Sequence, residues 1–214
     1  MNNNIDYSLY LVTDQGLCLG RNLVDVVRGA VAGGVNIVQI REKDSDTRDF
    51  LHLAEAMKRA LQYSHVPLII NDRVDVALAC QADGVHVGQS DLPCAVVREM
   101  IGPDKILGVS INTCEQIREA LQSDVDYLSL SPVFPTPTKA DTTEPFGIEG
   151  LARARGMTDR PLITIGGINK SNLREIISTG IDGIAVVSAI CSAPSPETAA
   201  RELADIIRES RAAP

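Results

Sequence analysis

The sequence predicts an α/β fold in one domain, residues 1–214, built as a TIM (βα)8 barrel, and three observations carry that expectation. Eight short apolar runs rich in β-branched residues recur along the chain. Amphipathic segments with apolar residues spaced three and four apart separate them. Four of the junctions leading out of such a segment resemble one another. Strands covered by helices on both faces read as near-continuous apolar runs, which is the pattern of a buried parallel sheet.

The runs are YLVT (10–13), VNIVQI (35–40), PLII (67–70), GVHVG (84–88), ILGVSI (106–111), YLSLS (127–131), PLITIGG (161–167) and GIAVVSAI (183–190). Helical periodicity lies between them, in NLVDVVRGAVAGG, TRDFLHLAEAMKRALQ, CEQIREALQ and SNLREIISTG. The junctions AGGVNIV, QADGVHV, SDVDYLS and TGIDGIAV each set small or acidic turn residues just before an apolar run, as a helix end feeding a parallel strand requires. This internal likeness favours a closed repeat, slightly shorter than the usual barrel of about 250 residues. A doubly wound open sheet would normally carry a glycine-rich phosphate loop after its first strand, and YLVTDQGLCLGRN holds neither GxGxxG nor a P-loop.

Composition narrows the function. A chain of 214 residues, 44% hydrophobic and 22% charged, has material for a substantial core. A net charge of −8 argues against nonspecific binding to nucleic acid or to an anionic membrane, so an anionic ligand must meet a local cluster of cations. The start, MNNNIDYSLYLVTD, has no basic region followed by a long apolar core, and no apolar run approaches the roughly 20 residues that span a bilayer, so the expected compartment is the cytoplasm. Aromatic residues make up only 3% of the chain, too few to suggest stacking platforms for bases or sugars. Cys18, Cys80, Cys94, Cys114 and Cys191 form no CxxC pair and have no histidine at metal-ligand spacing, so reduced and mostly buried thiols are expected.

In a barrel the chemistry sits where strands end and βα loops begin. Strand two ends in QIREK, placing Gln39, Arg41 and Lys43 at alternate positions; two cations so placed suit an anion with several oxygens, although a solvated strand end would look the same. Strand three ends in IINDR and the loop after strand four reads GQSDL, so Asp72 and Asp91 can approach one point from neighbouring loops. Two carboxylates there call for a cation between them, and Mg²⁺ takes one or two carboxylates plus water and phosphate oxygens. Helix capping and acid–base work are the competing roles for either aspartate. Asn71 adds a neutral donor. Strands seven and eight bring Gly166, Gly167 and Ser188 to the loops where barrels often bind phosphate. The long segment SPVFPTPTKADTTEPFG after strand six hangs Thr136, Thr138 and Lys139 over the same mouth and reads as a lid. Of His52, His65 and His86, none has a Ser or Cys partner placed for a nucleophilic triad, and His86 within strand four reads as a buried, hydrogen-bonded structural residue.

These segments in this order, from LYLVTD through QIREK, IINDRVDVALACQADGVHVGQSDLP, LGVS, SPVFPTPTK and ITIGGI to AVVSAI, resemble the thiamine phosphate synthases over nearly the whole chain. The resemblance implies a transferase that joins hydroxymethylpyrimidine diphosphate to a thiazole phosphate, with or without a carboxylate on the thiazole, and releases pyrophosphate. It implies Gln39 at the pyrimidine; Arg41, Lys43, Asn71 and Lys139 around the diphosphate, with Arg41, Lys43 and Lys139 driving its departure; and Asp72 and Asp91 on Mg²⁺. Ser110, Thr136, Thr138, Gly167, Val187 and Ser188 would line the thiazole phosphate site. The sequence departs from the family at Ser131, where glycine usually precedes the proline. Partners are then small molecules, with outer helices free to pair two copies as a homo-oligomer. Two other readings are a thiazole tautomerase of the same fold, which resembles this family but lacks the GQSD carboxylate and the TPTK segment, and a noncatalytic thiamine phosphate sensor, which an appended regulatory segment would favour.

Overall fold

The computed structural model describes residues 5–135 and 144–212. Eight parallel strands close into a barrel in sequence order: β1 (Leu9–Val12), β2 (Ile37–Ile40), β3 (Leu68–Asn71), β4 (Gly84–Val87), β5 (Ile106–Ile111), β6 (Tyr127–Leu130), β7 (Leu162–Ile165) and β8 (Gly183–Val186). Pairing of β1 with both β2 and β8 removes every sheet edge. Crossover helices α1 (Leu23–Ala32), α2 (Thr47–Leu61), α3 (Val74–Ala79), α4 (Cys94–Ile101), α5 (Cys114–Ala120), α6 (Gly147–Arg155) and α7 (Leu173–Ser178) join successive strands. A short α8 (Ser188–Cys191) precedes α9 (Pro196–Ala212), whose contacts with α1 close the helical layer.

Alternation along the strands builds two cores. Outward residues such as Leu9, Leu11, Val38, Ile40 and Leu128 pack against the helices, while Tyr10, Ile37, Ile69, Ile106, Tyr127, Ile163 and Ala185 fill the barrel. Fully burying one such side chain stabilises the fold by about 1.5–3 kcal/mol.

The recurrent junctions have a common physical cause. Asn36, Asp83, Asp126 and Asp182 each stand one residue before an even-numbered strand, and the side-chain oxygen of each accepts an N–H at the start of the preceding odd-numbered strand, from Leu9 (3.1 Å), Leu68 (2.8 Å), Leu107 (2.7 Å) and Leu162 (2.7 Å). The same four residues donate their own N–H to the carbonyls of Leu9, Leu68, Leu107 and Leu162, at 2.7–2.9 Å. An asparagine or aspartate thus clamps the N-terminal end of each of these strand pairs and satisfies backbone groups there.

Boundaries differ from the expected runs by a few residues, most at strand eight. GIAVVSAI splits at Val187: its carbonyl accepts the N–H groups of Ile190 and Cys191, and Ser188 opens α8. Ile190 and Cys191 are as buried as the strand, so hydropathy alone extends the run past the turn. At strand seven, Gly166 and Gly167 end the extended backbone with φ of +109° and +67°. All five cysteines are free thiols, three of them buried. No helix among the described residues is long and apolar enough to cross a membrane.

Asp126 also holds Arg98 at 2.6 Å, at the end of the barrel opposite the strand C-termini. Asp126→Ala is expected to destabilise the fold by about 1–3 kcal/mol, the cost of leaving a buried N–H unpaired, with KM unchanged. Denaturant midpoints and steady-state kinetics on the purified variant check both halves.

Candidate active site

The C-terminal ends of the strands surround a cleft. Tyr10, Gln39, Asn71, His86, Ser110 and Ser129 line its floor from six strands, and Thr13, Asp14, Arg41 and Val187 line its walls from the loops. The floor is polar although it lies at the top of an apolar barrel: Gln39 is 4% exposed, His86 6% and Asn71 8%. Buried polar groups need partners, and here they find one another. Gln39 donates from Nε2 to the Tyr10 hydroxyl (2.8 Å), the Tyr10 and Tyr127 hydroxyls lie 2.8 Å apart, and His86 bridges Tyr127 through Nδ1 and Ser110 through Nε2, both at 2.9 Å.

Strand two delivers its three polar residues as expected. Gln39 faces into the barrel, Arg41 lines the cleft with its backbone N–H on Thr13 Oγ1 (3.2 Å), and Lys43 forms an ion pair with Asp72 on the rim. Asp72 follows β3 in the left-handed region (φ +62°), which aspartate tolerates better than most residues, and its N–H bonds the His86 carbonyl at 2.8 Å. That turn aims its carboxyl at Asp91, which is itself held by the Gly88 N–H at 2.7 Å.

The two aspartates titrate as a pair. Burial pushes the Asp72 carboxyl up, but the Lys43 ammonium and a hydrogen bond with Asp91 outweigh it and hold Asp72 below the ordinary carboxylate range. Burial and the adjacent Asp72 push Asp91 above that range, against the pull of the Gly88 N–H. Lys43 thus favours the Asp72 carboxylate, while the neighbouring carboxyl disfavours ionisation of Asp91. Two carboxyl groups side by side with one ammonium leave room for further positive charge, so Asp72 and Asp91 fit Mg²⁺ in its usual one- or two-carboxylate mode. Among the described residues no group of three or more histidines, cysteines or acids gathers anywhere, as a metal held entirely by protein would need.

Other expected residues fall nearby. Ser110 and Val187 line the cleft, whereas Gly167, in the loop after β7, and Ser188, the first residue of α8, do not. The glycine pair has a steric reason as well as a conformational one. A Cβ at Gly166 would lie 2.8 Å from Pro132 Cβ, and one at Gly167 2.8 Å from Phe134 Cβ. The departure at Ser131 is accommodated: the Ser131–Pro132 peptide is cis, and the Ser131 carbonyl accepts a bond from Asn112 Nδ2 at 2.8 Å. Thr136, Thr138 and Lys139 lie outside the described residues. His86 is buried and hydrogen-bonded as expected, and it also faces the cleft. Tyr10, Tyr127 and Ser129 are not singled out by the sequence, because a mostly apolar strand with a hydroxyl residue or two reads as core. The inward alternation in YLSLS is the one signal for Tyr127 and Ser129.

Carbon-detected titration of the aspartate carboxyls should therefore show one group ionising below the ordinary range and one above it. Lys43→Met removes the cation that favours the Asp72 carboxylate, so the lower of the two values should rise. Two unshifted titrations would contradict the coupling of the two carboxyls.

The sequence model of the family described as thiamine monophosphate synthase matches residues 9–190. The chain is 52% identical to a thiamine-phosphate synthase of Syntrophomonas wolfei over 203 residues, 95% of this chain and 97% of that one. It is also 52% identical to one from Vibrio campbellii over 202 residues, 94% and 98% of the two chains. Among solved structures, thiamine phosphate pyrophosphorylase from Pyrococcus furiosus superposes with a TM-score of 0.88 at 37% identity, covering 96% of this chain and 98% of that one. A closed eightfold barrel, a cleft of amides and cations at its mouth, and this likeness along almost the full length place the chain in the thiamine monophosphate synthase family.

Proposed function

We propose that this chain is a thiamine-phosphate synthase: a transferase that couples 4-amino-2-methyl-5-hydroxymethylpyrimidine diphosphate with hydroxyethylthiazole phosphate and releases pyrophosphate. The observation that carries the reading is the convergence of Gln39, Arg41, Lys43 and Asn71 with the Asp72–Asp91 pair on one barrel mouth. In an otherwise acidic protein this is where an anion with several oxygens and a heterocycle with hydrogen-bonding edges can both be held.

The reaction breaks the bond between the pyrimidine methylene carbon and the diphosphate oxygen. The electron pair leaves with the diphosphate, the pyrimidine amino group spreads the resulting positive charge, and the lone pair of the thiazole nitrogen closes the new C–N bond. Arg41, Lys43 and Lys139 hold the growing charge on the leaving group, and Asn71 donates to one of its oxygens. Gln39 fixes the pyrimidine ring. Mg²⁺ bound by Asp72 and Asp91 would add positive charge for the phosphate oxygens. Ser110, Thr136, Thr138, Gly167, Val187 and Ser188 are assigned to the thiazole phosphate. No protein nucleophile is needed, which agrees with a site built from cations, amides and hydroxyls.

Pyrophosphate release measured with each component omitted in turn tests the reading; release is expected only with both substrates and Mg²⁺ present. Asp72→Ala and Asp91→Ala should each raise the Mg²⁺ concentration for half-maximal activity and leave the circular dichroism unchanged, and an unaltered Mg²⁺ dependence in both would remove the metal assignment. Lys139→Ala should lower kcat by about 10²-fold or more with little change in Tm.

A further inference from the structure

His86, Gly108 and Tyr127 stand in register on β4, β5 and β6, all facing the barrel interior. A Cβ at Gly108 would lie 2.0 Å from Tyr127 Cζ and 2.4 Å from its hydroxyl oxygen, so the tyrosine ring occupies the space a side chain on β5 would fill. Lying across β5, Tyr127 reaches His86 on one side and Tyr10 on the other. The result is one chain of hydrogen bonds, Gln39–Tyr10–Tyr127–His86–Ser110, drawn from five strands. Its two ends line the cleft. Its central link, Tyr127, is fully buried and does not.

Each link must have a donor, and the donors can be counted. The Gln39 amide nitrogen only donates, so the Tyr10 oxygen accepts from it. Burial holds both phenols far above their usual range, and each keeps its proton. Were Tyr127 to donate to Tyr10, the Tyr10 proton would lose its buried partner, at a cost of about 1–3 kcal/mol. Tyr10 therefore donates to Tyr127, Tyr127 donates to His86 Nδ1, and a neutral His86 donates from Nε2 to Ser110 Oγ. The Ser110 proton and the Gln39 carbonyl oxygen are left for a ligand.

We infer that Tyr127 is a positioning residue that, through Tyr10 and His86, polarises this chain so that the cleft presents an acceptor at Gln39 and a hydroxyl donor at Ser110. That polarity matches an aminopyrimidine whose amino group donates to Gln39 and an anionic phosphate oxygen that accepts from Ser110. The inference rests on the proposed coupling reaction for its ligand, but the polarity itself does not. Turning the Gln39 amide over would reverse every link and move the His86 proton to Nδ1, so the imidazole reports which order holds.

The experiment is two-bond nitrogen–proton correlation spectroscopy of the full-length protein labelled with ¹⁵N-histidine, alongside kinetics on Tyr127→Phe. The expected wild-type result is an Nε2–H tautomer for His86. In Tyr127→Phe that tautomer should no longer be fixed, and KM should rise about five- to tenfold, the weight of one hydrogen bond, both for the pyrimidine diphosphate at the Gln39 end and for the thiazole phosphate at the Ser110 end. Tyr10→Phe, which keeps the Tyr127–His86–Ser110 half, should leave the tautomer in place and raise only KM for the pyrimidine diphosphate, and it serves if Tyr127→Phe folds poorly. An Nδ1–H tautomer or an imidazolium in the wild type would overturn the inference, as would a Tyr127→Phe protein with tautomer and both KM values unchanged. A wild type that shows the Nε2–H tautomer yet releases no pyrophosphate would count against the coupling reaction and leave the polarity standing.

Discussion

Closure of the sheet is the constraint from which the rest follows. Once β1 pairs with β8 as well as with β2, alternate side chains have only the barrel interior to enter, and they must fill it without voids. The lower part of that space is taken by Ile37, Ile69, Ile106 and Ile163. Towards the strand C-termini the inward positions turn polar, at Gln39, Asn71, His86, Ser110 and Ser129. The transition is possible because Gln39, His86 and Ser110 are tied through Tyr10 and Tyr127 into one set of hydrogen bonds. A single unpartnered amide at that depth would cost as much as one of the isoleucines contributes. The same closure separates labour between the two ends: backbone clamps lie at one and chemistry at the other.

Electrostatics at the mouth run against the charge of the whole chain. A protein with eight surplus negative charges gathers Arg41 and Lys43 beside a pair of carboxyl groups. The ammonium of Lys43 offsets part of the charge of that pair, so the mouth repels a polyanion less than two unpaired carboxylates would. The loop after β6 begins against this rim, seated on Gly166 and Gly167 through Pro132 and Phe134. Its starting direction is therefore fixed by packing before its hydroxyls and lysine come into play.

Much of the architecture is legible in the sequence because closure repeats one pattern eight times, and each repetition supports the others. The placement of Arg41, Lys43, Asp72 and Asp91 at the barrel mouth is legible too, since each lies in sequence just after a buried strand, whatever its role there. What local pattern hides is anything that depends on two strands at once. The end of strand eight is misplaced because Ile190 and Cys191 are buried on a helix as completely as the strand before them. Tyr127 looks like core because its partners, His86 and Tyr10, lie 41 and 117 residues away. Gly108 looks like a flexible strand residue, and only the ring across β5 shows that it is a steric requirement.

The asparagine and aspartates before the even-numbered strands have a consequence for how the barrel is put together. The side chain of each joins an odd strand to the even strand after it, and none of the four side chains joins an even strand to the next odd one. The repeating part is therefore a strand–helix–strand module sealed at its base, used four times, and the seams between modules fall at α2, α4, α6 and α9. New chain ends opened in those helical connections would leave all four seals within unbroken modules, whereas a cut in α1, α3, α5 or α7 would divide one. The molecule is, in that sense, a ring of four hairpin-like parallel units, with its natural points of circular permutation already written into every second crossover.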